Sequence, residues 1–291
     1  MVVTFPKHFN RQTMYELINQ VIDQNISPKS NEFIFDFTTL SFIEPVGVTV
    51  LSNLIEWLSK REIKVVFTTP QKAIVNAAAK YLDDSEFFLR YLGQNQYLLS
   101  SPRSTTIPLK LVSYKESYQW LETELITWLS WKLSLTPASL ADIKVCVQEI
   151  FNNINDHSQE QIGCVFVQHY PKINKIRLAI SDFGVGVPNV VKSLHPYLTD
   201  SQALEKAIEQ GFSTKSTPQN TGAGLDILIQ IVTQKNGGCV YIHSNNGILN
   251  CNNIRNERQD ICGFYPGTLF EIDLRTDSIE NIIDAEEEFA W

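Results

Sequence analysis

No stretch of this 291-residue chain approaches the roughly 20 unbroken apolar residues needed to cross a bilayer, and the amino terminus, MVVTFPKHF, has neither the apolar core nor the cleavage site of a secretory leader. The expected location is cytoplasmic, with no membrane contact. Cysteine is also sparse: Cys146, Cys164, Cys239, Cys251 and Cys262 form no CxxC pair. Five is an odd number in a chain too large to need staples, which argues against a disulfide framework and for reduced thiols. Basic residues are outnumbered, 24 Lys and Arg against 32 Asp and Glu, for a formal charge of −8. That deficit argues against a broad phosphate-binding surface, so nucleic acid is not an expected partner. What remains is a globular composition, 43% hydrophobic and 19% charged, long enough for two domains with a core each.

Residues 1–100 alternate strand-like and helix-like stretches, the pattern of an α/β domain. A strand is expected at Val2 to Phe5, a helix from Thr13 to Asp23, and an apolar strand at Phe33 to Phe37 (FIFDF). A turn at Glu44 to Gly47 leads into a second helix ending at Ser59, followed by the strand Val65 to Thr68 and a helix from Gln71 to Tyr81. The Ser-, Thr- and Pro-rich segment SSPRSTTIP places a linker at 101–108. A second domain is expected over 109–276, and the remainder, 277–291, ends in the acidic run DAEEEFAW, read as a solvated tail. In the second domain Thr136 and Pro137 suit the start of a helix. Leu140, Ile143, Val147, Ile150 and Ile154 then recur at intervals of three and four, which makes one buried stripe. Strands follow at Gly163 to His169 and Lys175 to Ser181, a helix at Gly224 to Gln234, and strands at Cys239 to His243 and Thr268 to Leu274. The polar stretch 245–263 between those last two strands reads as an insertion.

Three groups of residues carry chemistry. On the striped helix, in QEIFNNINDH, Glu149, Asn153 and His157 are spaced four apart and share one face. A carboxylate can position and deprotonate a nucleophile, and a carboxamide oxygen can ligate a hard cation such as Mg²⁺; the same spacing also fits a merely solvated face. In ISDFGVGVP, Asp182 closes an apolar strand where it can accept from a donor such as an adenine amino group, and Gly184 and Gly186 allow close backbone approach. A plain turn would use the same residues. In NTGAGLDILIQIV, Thr221, Gly222, Gly224 and Leu225 open a helix whose free amides can hold phosphate. Lys215, in the preceding GFSTKS, can reach phosphate or simply face solvent.

In this order the three groups resemble the N, G1 and G2 boxes of the GHKL (Bergerat-fold) ATPases, and PGTLFEI, with Gly267 and Thr268, resembles the family's fourth signature. The resemblance covers Ile107 to about Arg275. It implies an α/β sandwich, a mixed sheet with helices on one face, that binds ATP and Mg²⁺. Glu149 would be the general base, Asn153 the Mg²⁺ ligand and Asp182 the adenine anchor with help from Thr268. The amides near Gly222 and Gly224 would hold phosphate, under a lid running from about Pro188 to Thr221. The compact N box ending in a histidine is most similar to that of the anti-sigma-factor serine kinases, which work as dimers, so a homodimer is an option here.

The segment FIFDFTTLSFIEPVGVTVLSNLIEWL resembles the strand, turn and helix of a STAS domain, the fold of anti-sigma-factor antagonists. Those antagonists carry a phosphoacceptor serine at the turn, where this chain reads Glu44, Pro45, Val46, Gly47. Proline has no hydroxyl, so that switch cannot operate here, and Thr49, the nearest hydroxyl, is expected to pack within the helix. The expected function is a nucleotide-dependent regulatory switch for a protein partner, with slow ATP hydrolysis. The alternatives are a protein Ser/Thr kinase of the anti-sigma type and an ATP-ordered binding module or assembly subunit without turnover.

Overall fold

The computed structural model describes residues 1–68, 76–157, 162–212 and 224–282. It is an α/β protein built on two principal sheets. In the amino-terminal half, β1 (Val2–Thr4), β3 (Glu32–Asp36) and β5 (Lys64–Thr68) form a parallel sheet in the order β1-β3-β5, and β2 (His8–Phe9) pairs with β4 (Phe42–Ile43). Helices α1 (Met14–Val21), α2 (Pro45–Ser59), α3 (Ala77–Asp84) and α4 (Phe87–Leu92) complete this half. The expected turn at 44–47 is instead the start of α2: Glu44 is the N-cap and Pro45 occupies the first turn, where its missing N–H costs nothing. Thr49 is buried and its hydroxyl donates to Val46 O at 3.0 Å, the packing role expected of it. Of the helix expected from Gln71 to Tyr81, residues 69–75 lie outside the described residues, and α3 begins at Ala77 with Asn76 capping it through Ala78 N and Ala79 N.

The second sheet runs β6-β7-β8-β10-β9, with β6 Thr106–Ser113, β7 Ile162–Tyr170, β8 Lys175–Asp182, β9 Cys239–Cys251 and β10 Asn256–Arg275. Every neighbour pair is antiparallel, so the sheet is not the mixed one expected. The short connections account for two of the four pairs: β7 to β8 and β9 to β10 are joined by links of about four residues, which permit only antiparallel return. On one face lie α5 (Tyr114–Trp120), which passes through a π-helical turn into α6 (Thr127–Leu133), then α7 (Ala141–His157) and α10 (Gly224–Ile229). Two further helices, α8 (Val187–Leu194) and α9 (Asp200–Ala207), connect β8 to the 213–223 segment, which lies outside the described residues. The stripe Leu140, Ile143, Val147, Ile150 and Ile154 is buried against Ile176, Leu178 and Ile180 of β8.

The opposite face of this sheet is covered by the amino-terminal half. Along β8 the period of two turns Arg177, Ala179 and Ser181 away from α7 and toward α2. Helix α2 is buried over all but Glu56 and Ser59, because its sequence is apolar on every side and it lies between two sheets. One apolar cluster runs from Phe33 and Phe35 through Leu51 and Leu54 to Phe166, Ala179 and Leu269. Polar contacts fix the seam. Asn53 Nδ2 donates to Ser181 Oγ, and Cys164 Sγ lies 3.3 Å from Ser52 Oγ. Arg177 forks onto Asp273 at 2.6 and 2.8 Å and reaches Glu44 at 3.0 Å, while Arg11 pairs with Glu271 at 3.1 Å. Burial alone would raise the Asp273 carboxyl, but the Arg177 fork overrides it and holds that group below the usual carboxylate range.

Two other expectations change. The linker is shorter, since β6 already begins at Thr106, and Arg103 is pinned by Asp84 at 3.0 Å and stacks on Tyr81. The stretch 245–263 is no loose insertion: it forms the outer parts of β9 and β10, which pair from Asn256↔Cys251 to Asp260↔Gly247 before the register shifts at Tyr265. All five cysteines are free thiols. No helix among the described residues is long and apolar enough to cross a membrane.

His243 of β9 gives a pH test of the seam. It is fully buried among Tyr241 and Tyr265, with the Tyr15 hydroxyl of α1 2.9 Å from Nδ1, and burial pulls its pKa down from 6.5 to about 4. The folded chain keeps the ring neutral while the unfolded chain protonates it, so this contribution is intact above about pH 6.5 and is lost as the pH falls toward about 4, by roughly 3 kcal/mol at most. Urea unfolding across this window should show stability falling with acid in the wild type and a flatter dependence in His243→Gln. Equal slopes in both proteins would place the acid sensitivity elsewhere.

Candidate functional site

The cleft lies between α7 and the end of the β8-β10 pair. Helix α7 is anchored at its start by Thr136, whose hydroxyl accepts from Ser139 N at 3.3 Å, and by its apolar stripe, so Glu149 and Asn153 are fixed relative to the sheet. Asn153 Nδ2 donates to Glu149 O at 2.8 Å, and Asn152 Nδ2 lies 3.3 Å from Glu149 Oε1. Across the gap, Asp182 and Thr268 are register partners on β8 and β10, both buried, and Thr268 N donates to Asp182 Oδ1 at 3.3 Å. The Thr268 hydroxyl in turn accepts from Val187 N at 3.3 Å and lies 3.1 Å from Ser244 Oγ. Asn153, Ile154, Asp182, Gly186, Val187, Thr268 and Phe270 line one cleft.

Two glycines mark close approaches, and the geometry requires the first of them. Gly267 has φ +101°, and a methyl there would lie 2.2 Å from Asp182 O, so the crossing that aligns Thr268 with Asp182 admits no side chain. At Gly224, the first residue of α10, a methyl would lie 2.7 Å from Glu149 Oε2 and 4.0 Å from Asn153 Nδ2. The helix start therefore abuts the Glu149 carboxylate, where its exposed amides and positive dipole end favour negative charge.

Of the residues singled out in the sequence, Asn153, Asp182, Gly186 and Thr268 line this cleft, and Glu149 and Gly224 meet beside Asn153. Gly184 sits behind the cleft, its amide facing Gly267, and Leu225 is buried in the core beneath α10. Lys215, Thr221 and Gly222 lie outside the described residues, as does the end of the expected lid; His157 is placed on α7 without a described side chain. The beginning of that lid is α8 and α9, held by the outer β9-β10 hairpin: Asp260 accepts from Ser201 N at 2.8 Å and from the hydroxyls of Thr199 and Ser201 at 2.7 Å each. Ser244 and Asp260 were not singled out in the sequence. The only available sign was the unbroken alternation of VYIHS into the polar stretch.

The close crossing yields a stability contrast. Gly267→Ala should cost roughly 2–4 kcal/mol, from the strained φ together with the backbone clash. Gly93→Ala, at φ +70° with nothing within 4 Å, should cost about 1 kcal/mol. Denaturant titration of the two variants measures the difference, and equal losses would mean that only the dihedral matters.

No family model matches the chain. Among curated proteins it is similar to the anti-sigma F factor of Caldanaerobacter subterraneus subsp. tengcongensis, 29% identical over 110 residues that make up 38% of this chain and 76% of that protein. The anti-sigma F factors of Thermoanaerobacter sp. (strain X514) and Thermoanaerobacter pseudethanolicus are each 31% identical over 87 residues, which is 30% of this chain and 60% of theirs. The similarity to anti-sigma F factors thus occupies about a third of the chain.

Proposed function

We propose that this chain is an ATP- and Mg²⁺-binding regulatory protein of the GHKL type, with a STAS-like amino-terminal half, that acts on a protein partner. The observation that supports this reading is that the Asn153 carboxamide and the buried Asp182 line one cleft, while the Glu149 carboxylate and the start of α10 meet beside Asn153. Asp182 would take the adenine amino group, positioned by the Thr268 amide and the Gly267 crossing. Glu149, at the first residue of α10, would orient the attacking hydroxyl and accept its proton.

The donor set suits magnesium. Among the described residues no group of three or more His, Cys, Asp or Glu could hold a metal alone, and Mg²⁺ characteristically takes one or two protein oxygens and completes its shell with phosphate and water. Asn153, fixed through its nitrogen on Glu149 O, would supply a carboxamide oxygen. When bound, Mg²⁺ would neutralise phosphate charge.

The anti-sigma relatives favour a protein partner, a sigma factor or its antagonist, over a metabolic substrate. The acceptor of the phosphoryl group separates the two catalytic versions of the reading, since water gives a slow ATPase and a protein hydroxyl gives a serine/threonine kinase. A nucleotide-dependent switch needs turnover well below the ~10 s⁻¹ typical of enzymes.

Calorimetry with ATP, with and without Mg²⁺, combined with product analysis on the same samples, tests the assignment. Asp182→Asn should weaken ATP binding tenfold or more, the cost of a lost buried hydrogen bond to the base. Asn153→Ala should remove the magnesium dependence, and Glu149→Ala should bind ATP yet form neither phosphate nor phosphoprotein. ATP binding that is unchanged in Asp182→Asn, or absent from the folded wild type, would overturn the assignment.

A further inference from the structure

A second cavity, of about 190 Å³, lies on the other side of the Phe183–Val185 loop from the cleft, at the seam between the two halves of the chain. Trp57, at the end of α2, and Arg61 form one wall, Phe183 and Val185 another, and Phe264 and Asn245 close it. Arg61 is unusual in this molecule. The sequence has eight arginines, all within the described residues, and seven of them, Arg11, Arg90, Arg103, Arg177, Arg255, Arg258 and Arg275, pair with a carboxylate. For Arg61 no carboxylate partner occurs among the described residues. Its guanidinium lies 4.0 Å over the Trp57 ring and gives one N–H to Trp57 O at 3.0 Å, out of the five donors a guanidinium carries. Burial against the ring lowers its pKa, and no acidic neighbour offsets that.

We infer that this cavity is a small-molecule site, separate from the nucleotide cleft, for a small anion that carries an aromatic ring. The chemistry follows from the walls. A stacked guanidinium with unused donors is a carboxylate or phosphate receptor. Trp57, Phe183 and Phe264 all line the cavity, and aromatic residues there suit an aromatic occupant through offset or edge contacts at about 4.5–7 Å between ring centres. The volume equals that of roughly six waters, below the 300–1,000 Å³ of a drug-sized site, which suits an aryl carboxylate or aryl phosphate. Phe183 follows Asp182 directly, so an occupant would bear on the loop that shapes the cleft; this last consequence alone rests on the ATP reading.

Benzoate and phenyl phosphate are the probes, with inorganic phosphate as the ringless control, followed by calorimetry and by tryptophan fluorescence. The wild type should bind at least one ring-bearing probe saturably, and Arg61→Gln should weaken that probe tenfold or more. Val185→Phe, which fills the cavity from the opposite wall, should weaken it too. Arg61→Gln should unfold as the wild type does, because Arg61 is exposed to solvent. Asp182→Asn should lose ATP while retaining the probe, which keeps the fate of this site distinct from that of the nucleotide site. The inference is overturned by the absence of saturable binding, by binding indifferent to Arg61→Gln, by inorganic phosphate binding as tightly as phenyl phosphate, or by a probe lost with Asp182→Asn.

Discussion

Helix α2 holds the architecture together. An unbroken run of it, Pro45 to Ile55, is buried residue after residue, which a helix achieves only with protein on every side. The parallel sheet supplies one side and the outer face of the antiparallel sheet the other, so the two halves share one apolar cluster. The buried and half-buried polar groups along this seam meet in pairs, Asn53 with Ser181, Arg177 with Glu44 and Asp273, Arg11 with Glu271. Removing one member of such a set strands its partner in a medium of low polarity, so the seam tolerates little change in its polar residues.

The seam also lies directly behind the cleft. Ser181, which receives Asn53, is the residue before Asp182, and Tyr265, within reach of Asn53 at 3.5 Å, packs edge-on against Phe183 with 5.3 Å between ring centres. The backbone that presents Asp182 is therefore gripped from both faces, by Thr268 and Gly267 on one side and by α2 on the other. Such a grip suits the adenine-anchoring role proposed for Asp182, because an aspartate free to swing would have to be ordered at each binding event.

Much of this was legible in the sequence where period and composition agree. The stripe on α7 and the alternation of β8 identify the faces that meet, and glycines flanking Asp182 and opening α10 mark the places of close approach. The shared core was not legible. The apolar faces of α2 and of Phe166, Ala179 and Leu269 are compatible with two separate domains, and only their mutual burial shows that each is the other's cover. The outer β9-β10 hairpin escaped notice for a different reason. Its residues are polar because β10 is exposed over Asn256 to Asp260, and its order comes from long-range partners such as Asp260 with Thr199 and Ser201. Glu149 and Asn153 share a helical face by spacing alone, but their proximity to Gly224, some seventy positions later, required the fold.

Because α2 occupies one broad face of the antiparallel sheet and the helical layer the other, what the sheet still offers to a neighbouring molecule is its margins. One margin, β6, is blunted: Pro108 brings no amide to the border, the register slips between Ile107 and Lys110, and a lysine follows. The other, β9, bends at Asn245 and carries its outer part onto α9. Both margins of this sheet thus resist extension by strand addition, which leaves the helices and loops around it as the surfaces it can present.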